Sequence, residues 1–238
     1  MDPGLLTPID VYCERTSDAF WAEPLNAWTN VAFLLAATGL LPRLWAVEGT
    51  AAGRRLAGPA RVLLVELVAI GLCSFAFHTF ATPLAGAADV GSIALFIATF
   101  VAVYQTRVLG VGRGWATLAT VGLFVAAGTL PGVPQSMVPN FVLAYTPPAV
   151  AALGLGVATR ARGKPGGWCL VAASGVFTVS MFVAALDQPL CAWWPYGTHF
   201  IWHVLNAITL YLAVRGFLAS AWPDAADAPV PRNVDAVS

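Results

Sequence analysis

Long apolar stretches separated by short polar connections dominate this chain. Seven stretches come close to or reach the length that a bilayer-spanning helix needs, about 20 apolar residues. They are approximately Leu25–Trp45, Ala60–Phe80, Leu84–Gln105, Trp115–Leu130, Val138–Val157, Gly167–Leu186 and Phe200–Leu218. No charged residue occurs from Gly114 through Thr159, so this region must hold two spans, with the Pro-rich residues 130–140 as the turn between them. The pattern predicts an all-α polytopic membrane protein with seven transmembrane helices.

The predicted spans divide the chain into three regions. Residues 1–24 form an extracytoplasmic N-terminal segment, residues 25–220 form the seven-helix transmembrane domain, and residues 221–238 form a tail that we expect to be disordered. The composition agrees, since 58% of residues are hydrophobic and only 10% are charged. The formal net charge is zero, which leaves no basic surface for nucleic acid.

The basic residues predict the orientation of the spans. Eleven of the twelve lie on connections or on the tail at one side of the predicted helices, and only Arg15 lies on the other side. The eleven are Arg43, Arg54, Arg55, Arg61, Arg107, Arg113, Arg160, Arg162, Lys164, Arg215 and Arg232. By the positive-inside rule the N-terminus lies outside and the C-terminus is cytoplasmic. The preference for arginine over lysine suggests a GC-rich bacterial genome, and therefore a bacterial cytoplasmic membrane.

The three histidines of the chain are predicted to meet. His78 ends the second span, and His199 and His203 begin the seventh, so all three lie at the outer end of the bundle. Residues four apart share one face of a helix. A single histidine near a helix end more often makes only a hydrogen bond. Three that converge, leaving a fourth position open, form the ligand set of a catalytic zinc.

Two further polar residues lie close to the histidines in the predicted topology. Ser74 is one turn before His78, where it either lets helices pack closely or offers its hydroxyl to an oxyanion. Asp89 lies near the outer start of the third span, where it either caps the helix or accepts a proton from metal-activated water. The two interpretations of Asp89 do not exclude one another. We expect the active site to face the outer side of the membrane.

The N-terminal segment contains a run of four carboxylates just before the first span, and a cysteine. The carboxylates, on Asp10, Glu14, Asp18 and Glu23, form either a solvated acidic loop or part of a calcium site, without EF-hand spacing. The cysteine has one predicted partner outside the membrane, in the last outer loop. In an oxidising compartment these two thiols can pair, and the alternative is two unpaired thiols. The two cysteines are Cys13 and Cys191.

Three sequence blocks resemble the alkaline ceramidase family, which belongs to a larger group of seven-span metal hydrolases that includes adiponectin-receptor-like proteins. The first block is Asp10–Glu14 followed by Trp21–Asn26 and Thr29-Asn30, the second is Ser74–His78 with Asp89, and the third is His199–His203. Together they extend over nearly the whole chain in the order that the family has. One departure is that Asp89 is followed by Val90 and Gly91, where the family usually has a further acidic residue.

The resemblance implies two metal sites and a disulfide. It implies a zinc ion held by His78, His199 and His203, with Asp89 and Ser74 as catalytic neighbours. It also implies a calcium site, coupled to the zinc site through the first span, with Asp10, the Tyr12 carbonyl, Glu14, Asp18 and Glu23 as ligands. The pairing of Cys13 with Cys191 likewise resembles a feature of the family.

The sequence therefore predicts a zinc-dependent intramembrane amidohydrolase. We expect it to cleave the N-acyl amide of ceramide-like sphingolipids to a sphingoid base and a fatty acid, with the lipid entering laterally between helices. One alternative is a receptor-like metal-binding protein without turnover, for which Ser74 and Asp89 would be superfluous. Another is a haem electron carrier with two of the histidines as axial ligands, which would leave the third unused.

Overall fold

The computed structural model describes residues 4–51, 53–129 and 140–220. Within these ranges the regular secondary structure is α-helical throughout, which confirms the predicted all-α class. The disorder predicted for residues 221–238 lies outside the described residues. The helices are α1 (Pro24–Thr29), α2 (Val31–Glu48), α3 (Arg54–Phe80), α4 (Pro83–Arg107), α5 (Arg113–Thr129), α6 (Asn140–Ala144), α7 (Thr146–Ala161), α8 (Gly167–Ala185), α9 (Asp187–Leu190) and α10 (His199–Ala219).

Among the described residues, six segments are long and apolar enough to cross a membrane, by length and composition. They are Pro24–Glu48, Arg54–Phe80, Pro83–Arg107, Val142–Ala161, Gly167–Ala185 and His199–Ala219. The fourth predicted span corresponds to α5, whose 17 residues extend about 25 Å at 1.5 Å per residue, slightly less than a hydrocarbon core of about 30 Å. The predicted turn after it lies mostly outside the described residues. A multi-pass membrane protein is therefore supported.

Helix α10 is the centre of the bundle and packs against α8, α2 and α3. Its buried side chains meet leucines of α2 and α3 in one apolar core. Helices α7 and α8 approach so closely that a Cβ added at Gly156 would lie 2.9 Å from the backbone nitrogen of Val171. Large apolar side chains such as Leu35 and Val65 remain exposed on the outside of the bundle, where a bilayer would cover them.

The connection between α3 and α4 places His78 and Asp89 at the same end of the bundle. Helix α3 ends at Ala81 in the left-handed conformation, and the Thr82 side chain then accepts a hydrogen bond from the Ala85 backbone nitrogen at 3.2 Å. Thr82 is thus the N-cap of α4, and Pro83 follows it in the first turn. The interpretation of Asp89 as a helix cap is wrong, because Asp89 lies seven residues past that cap.

A disulfide joins the N-terminal segment to the loop before α10. Cys13 and Cys191 are bonded, with a Cα–Cα distance of 5.2 Å, so of the two alternatives for these thiols the structure has the pair. The bond leaves little room around it. A Cβ added at Gly197, whose φ is +62°, would lie 2.8 Å from the Cβ of Cys13. The N-terminal segment and the loop before α10 are therefore held together near the start of α10.

Candidate metal centre

The three histidines predicted to meet do meet in the structure. His78 lies in the last turn of α3, and His199 and His203 lie in the first turn and a half of α10. Their ring centroids are 4.7–5.1 Å apart, and all three side chains are almost completely buried. One nitrogen from each ring lies within 4.8 Å of the other two. This spacing lets three imidazoles bind one ion.

The surrounding hydrogen bonds leave ligand nitrogens free. His78 Nδ1 lies 2.6 Å from Glu23 Oε2, so its Nε2 is the free atom, and that atom is buried without a partner. His203 Nδ1 lies 2.9 Å from the Thr29 hydroxyl. His199 Nδ1 is also buried and unpartnered. A buried polar atom without a hydrogen-bond partner is costly, which favours a bound ion at the free nitrogens. A histidine that binds a metal through one ring nitrogen commonly makes a hydrogen bond through the other. The residues present therefore fit a bound metal ion.

The Thr29 hydroxyl determines which nitrogen of His203 is protonated. Its single proton is directed to the Leu25 carbonyl, at an oxygen–oxygen distance of 2.7 Å, so towards the imidazole it acts as an acceptor. His203 Nδ1 must then carry the ring proton, which leaves Nε2 with a free lone pair. Helix α1, which carries Thr29, thus orients one of the three rings.

Asp89 and Ser74 lie at this polar end as well. Both are buried, at 8% and 3% exposure, and both line the same cavity as His199 and His203. Asp89 Oδ1 has no hydrogen-bond partner, so it is free to accept a proton. The structure thus brings Ser74 and Asp89 to the cavity that His199 and His203 also line.

The cavity has a volume of about 340 Å³ and is mostly apolar away from the histidines. Most of its walls come from α3, α4, α7, α8 and α10, and they include Phe96, Phe100, Leu155 and Ala213. Ala213 is ten residues past His203, which corresponds to about 15 Å along α10. A ligand that fits this cavity has one polar part near the histidines and a long apolar part.

The five residues predicted to bind calcium do not form one cluster. Asp10 and Asp18 are exposed, and the Tyr12 carbonyl accepts the backbone N–H of Arg15 at 3.1 Å while the Tyr12 ring stacks on His199. In the described part of the chain, the histidine trio is the only group of three or more His, Cys, Asp or Glu side chains close enough to share a metal. As arranged here, the segment does not fit a calcium ion.

Glu14, one of those five residues, holds the start of α1. Its two carboxylate oxygens accept the backbone N–H groups of Leu25 and Asn26 at 2.7 and 2.8 Å. Burial raises the pKa of Glu14 above its ordinary value, although these two N–H groups oppose the shift. Both oxygens are thus engaged by the helix terminus.

Glu23, another of the five, connects the N-terminal segment to the histidines. Its Oε1 accepts a hydrogen bond from the Arg15 guanidinium. Its Oε2 accepts a hydrogen bond from the Asn26 side chain at 3.1 Å and also faces Nδ1 of His78. Burial alone would raise the pKa of Glu23, but the hydrogen bonds from His78, Arg15 and Asn26 outweigh it and the pKa is lowered. A carboxylate behind a histidine ligand is a common way to orient the ring.

Sequence reasoning missed Arg15 and Asp187 as contributors to the site. The Asp187 side chain is buried, and its Oδ1 accepts the backbone N–H groups of Thr198 and His199 at 2.6 and 2.9 Å, which caps α10 at its first histidine. The sequence held a signal for each residue. Asp187 is the only acidic residue between Asp89 and the tail, and Arg15 is the only basic residue on its predicted side.

Comparison with known proteins does not identify a relative. No protein-family model matches the chain, and no curated protein or solved structure is significantly similar to it. The resemblance to alkaline ceramidases therefore rests on the three sequence blocks. A functional assignment has to be argued from the site.

Proposed function

We propose that this protein is a zinc-dependent amidohydrolase that cleaves the N-acyl amide of a ceramide-like sphingolipid. The observation that carries the proposal is the convergence of three imidazoles, two of which line one end of a mostly apolar cavity. A closed structural site would have no need of a cavity beside it. Asp89 and Ser74, which line that cavity, supply further groups for chemistry.

His78, His199 and His203 would hold the zinc ion. A zinc ion with three histidine ligands and an open position supplies a Lewis acid for the amide carbonyl and lowers the pKa of water to about 7. The protein supplies the remaining steps. Asp89 Oδ1, which is buried and has no other partner, accepts the proton of the attacking water.

Completion of the reaction needs a proton and a donor to the carbonyl oxygen. The water oxygen bonds to the carbonyl carbon, the C–N bond breaks, and Asp89 returns its proton to the leaving nitrogen. The Ser74 hydroxyl donates to the carbonyl oxygen as negative charge develops there. The products are a fatty acid and a sphingoid base, and Asp89 is again ionised.

The apolar walls of the cavity suit the acyl or sphingoid chain of the substrate. Phe96 and Phe100 on α4 and Phe177 on α8 provide such walls. The lipid would enter laterally between helices, so that its amide reaches the histidines without leaving the bilayer. We further propose seven spans, with the N-terminus outside and the histidines towards the outer face of a bacterial cytoplasmic membrane, because eleven of twelve basic residues lie at the opposite side.

The test is hydrolysis of purified ceramide by the detergent-solubilised protein and by Asp89→Asn. We expect the substitution to lower turnover about 10²- to 10⁴-fold, because it removes the base but keeps the side-chain shape. Zinc content, measured by plasma emission spectroscopy, should stay near one per chain. Mass spectrometry of released fatty acid and sphingoid base gives the rate.

Asp18→Asn is the matched control, because that carboxylate is exposed and outside the cavity. Its turnover should equal that of the wild type. Unchanged turnover in Asp89→Asn would remove the proposed base. Zinc-loaded wild type that hydrolyses no N-acyl sphingolipid would refute the amidohydrolase and favour a receptor-like protein.

A further inference from the structure

Arg15 is buried beside the candidate metal centre and contacts three oxygens from different parts of the chain. Its exposure is only 4%. Nε donates to Glu23 Oε1, Nη1 donates to the Ser17 carbonyl at 3.0 Å, and Nη2 donates to the His78 carbonyl at 3.2 Å. Burial of a charged group without partners is very costly, and here every nitrogen of the guanidinium has an acceptor.

The three acceptors are of the kind that a hard cation takes. One is a carboxylate oxygen and two are backbone carbonyl oxygens, and calcium sites are built from the same groups. A positive charge already lies among these oxygens, and it belongs to the chain itself. The guanidinium therefore does for this segment what a bound cation would do.

Arg15 also fixes His78 at two points. It holds the His78 main chain directly through the carbonyl oxygen, and it holds the imidazole indirectly through Glu23, whose other oxygen faces Nδ1 at 2.6 Å. The backbone and the ring of His78 are thus set by one guanidinium. This double contact leaves Nε2 as the unpartnered nitrogen of a ring that has one nitrogen within 4.8 Å of a nitrogen of His199 and of His203.

We propose that Arg15 is a built-in cation that takes the structural place of calcium in this chain and, through Glu23, positions His78 for zinc. The inference rests on the metal centre of the proposed function. Because three different nitrogens of the planar guanidinium serve three acceptors, lysine cannot replace arginine here, although it keeps the charge. Arg15 is a positioning residue and touches no substrate.

The test compares metal binding by wild type, Arg15→Gln and Arg15→Lys. Zinc affinity is measured by competition with a chromophoric chelator in detergent. We expect both variants to bind zinc about 10- to 100-fold more weakly, the usual effect of losing the group that orients a histidine ligand. Glu23→Gln should lower zinc affinity by a similar factor. The double variant Arg15→Gln/Glu23→Gln should bind zinc no more weakly than the weaker-binding single variant, because both residues act on the same histidine.

Arg61→Gln is the matched control. Arg61 also pairs with a glutamate, Glu48, at 2.8 Å, but its side chain is 63% exposed and lies far from the histidines along α3. Its loss should leave zinc affinity unchanged. Unchanged zinc affinity in Arg15→Gln, with the protein folded, would overturn the positioning role.

Calcium is tested on the wild type, which avoids any variant that fails to fold. Calorimetric titration with CaCl₂ should give no binding heat, and the unfolding temperature should be the same in excess CaCl₂ and in a calcium chelator. Stoichiometric calcium binding that raises the unfolding temperature would overturn the proposal. None of these readouts needs turnover, so a protein that binds zinc but hydrolyses no amide would refute the proposed function and leave this inference standing.

Discussion

Helices α4 and α10 have buried polar groups at both of their ends, and the two ends satisfy those groups differently. At the tyrosine end, defined by Tyr104, Thr159 and Ser220, the Tyr104 hydroxyl lies 3.0 Å from Thr159 Oγ1 and 3.4 Å from Ser220 Oγ. At the histidine end, defined by the three histidines with Asp89, three buried nitrogen or oxygen atoms have no partner.

The difference separates a structural role from a functional one. Satisfied neutral groups tie helices together at little cost, whereas an unpartnered buried atom costs about 1–3 kcal/mol. The histidine end has three such unpartnered atoms, His78 Nε2, His199 Nδ1 and Asp89 Oδ1. Local departures from good packing of this kind are typical of binding and catalytic sites. Changes at the two ends should therefore have different consequences.

The largest expected effect is that of His203→Ala at the histidine end. Removal of one of three ligands should lower the zinc content from about one per chain to near zero, since two imidazoles leave the ion half-coordinated. Plasma emission spectroscopy of the purified protein measures it. Tyr104→Phe, at the other end, is the control and should keep its zinc. Full zinc content in the variant that lacks His203 would refute the proposed metal centre.

An intermediate effect is expected from loss of the disulfide that closes the histidine end. The double variant Cys13→Ser/Cys191→Ser should lower the free energy of unfolding by about 2–4 kcal/mol, because the bond closes a loop of 178 residues. Thermal unfolding in detergent measures the change. Reductant should destabilise the wild type and leave the variant unaffected. Equal stability of the two proteins would show that the bond adds nothing to the fold.

The smallest effect is expected from Tyr104→Phe. Loss of the hydroxyl removes one hydrogen bond at the tyrosine end and should lower the free energy of unfolding by about 1 kcal/mol. Zinc affinity and turnover should not change, because Tyr104 lies 15 residues along α4 from Asp89, about 22 Å. Chelator competition and the ceramide assay check both. A loss of activity with unchanged stability would contradict the separation of the two ends.

The sequence predicted the helices and the meeting of the histidines because both follow from long-range regularities. Apolar length indicates the spans, and the basic residues on alternate connections imply which helix ends lie together. The predicted proximity of His78 and His199 follows from those two facts. The fourth predicted span stays a prediction, since its apolar stretch is short and α5 has only 17 residues.

The network behind the histidines could not be predicted from periodicity. The network is formed by residues in or next to irregular segments, namely Arg15, Glu23 and Asp187. In such segments the backbone conformation follows from local contacts, and no sequence repeat indicates which side chains face inward. The carboxylates of the N-terminal segment have the composition of a calcium site. Composition does not show that Glu14 caps α1 or that Glu23 faces an arginine.

The disulfide also joins two residues that are made far apart in time during synthesis. Cys13 is made 178 residues before Cys191, and at about 5–20 residues per second the ribosome needs roughly 10–35 s to cover that interval. His78 is exposed to the environment of the nascent chain for much of this time without its two partner histidines. An oxidised Cys13–Cys191 pair therefore reports that synthesis has reached Cys191 and that the N-terminal segment has met the loop before α10, without any assay of the site's chemistry.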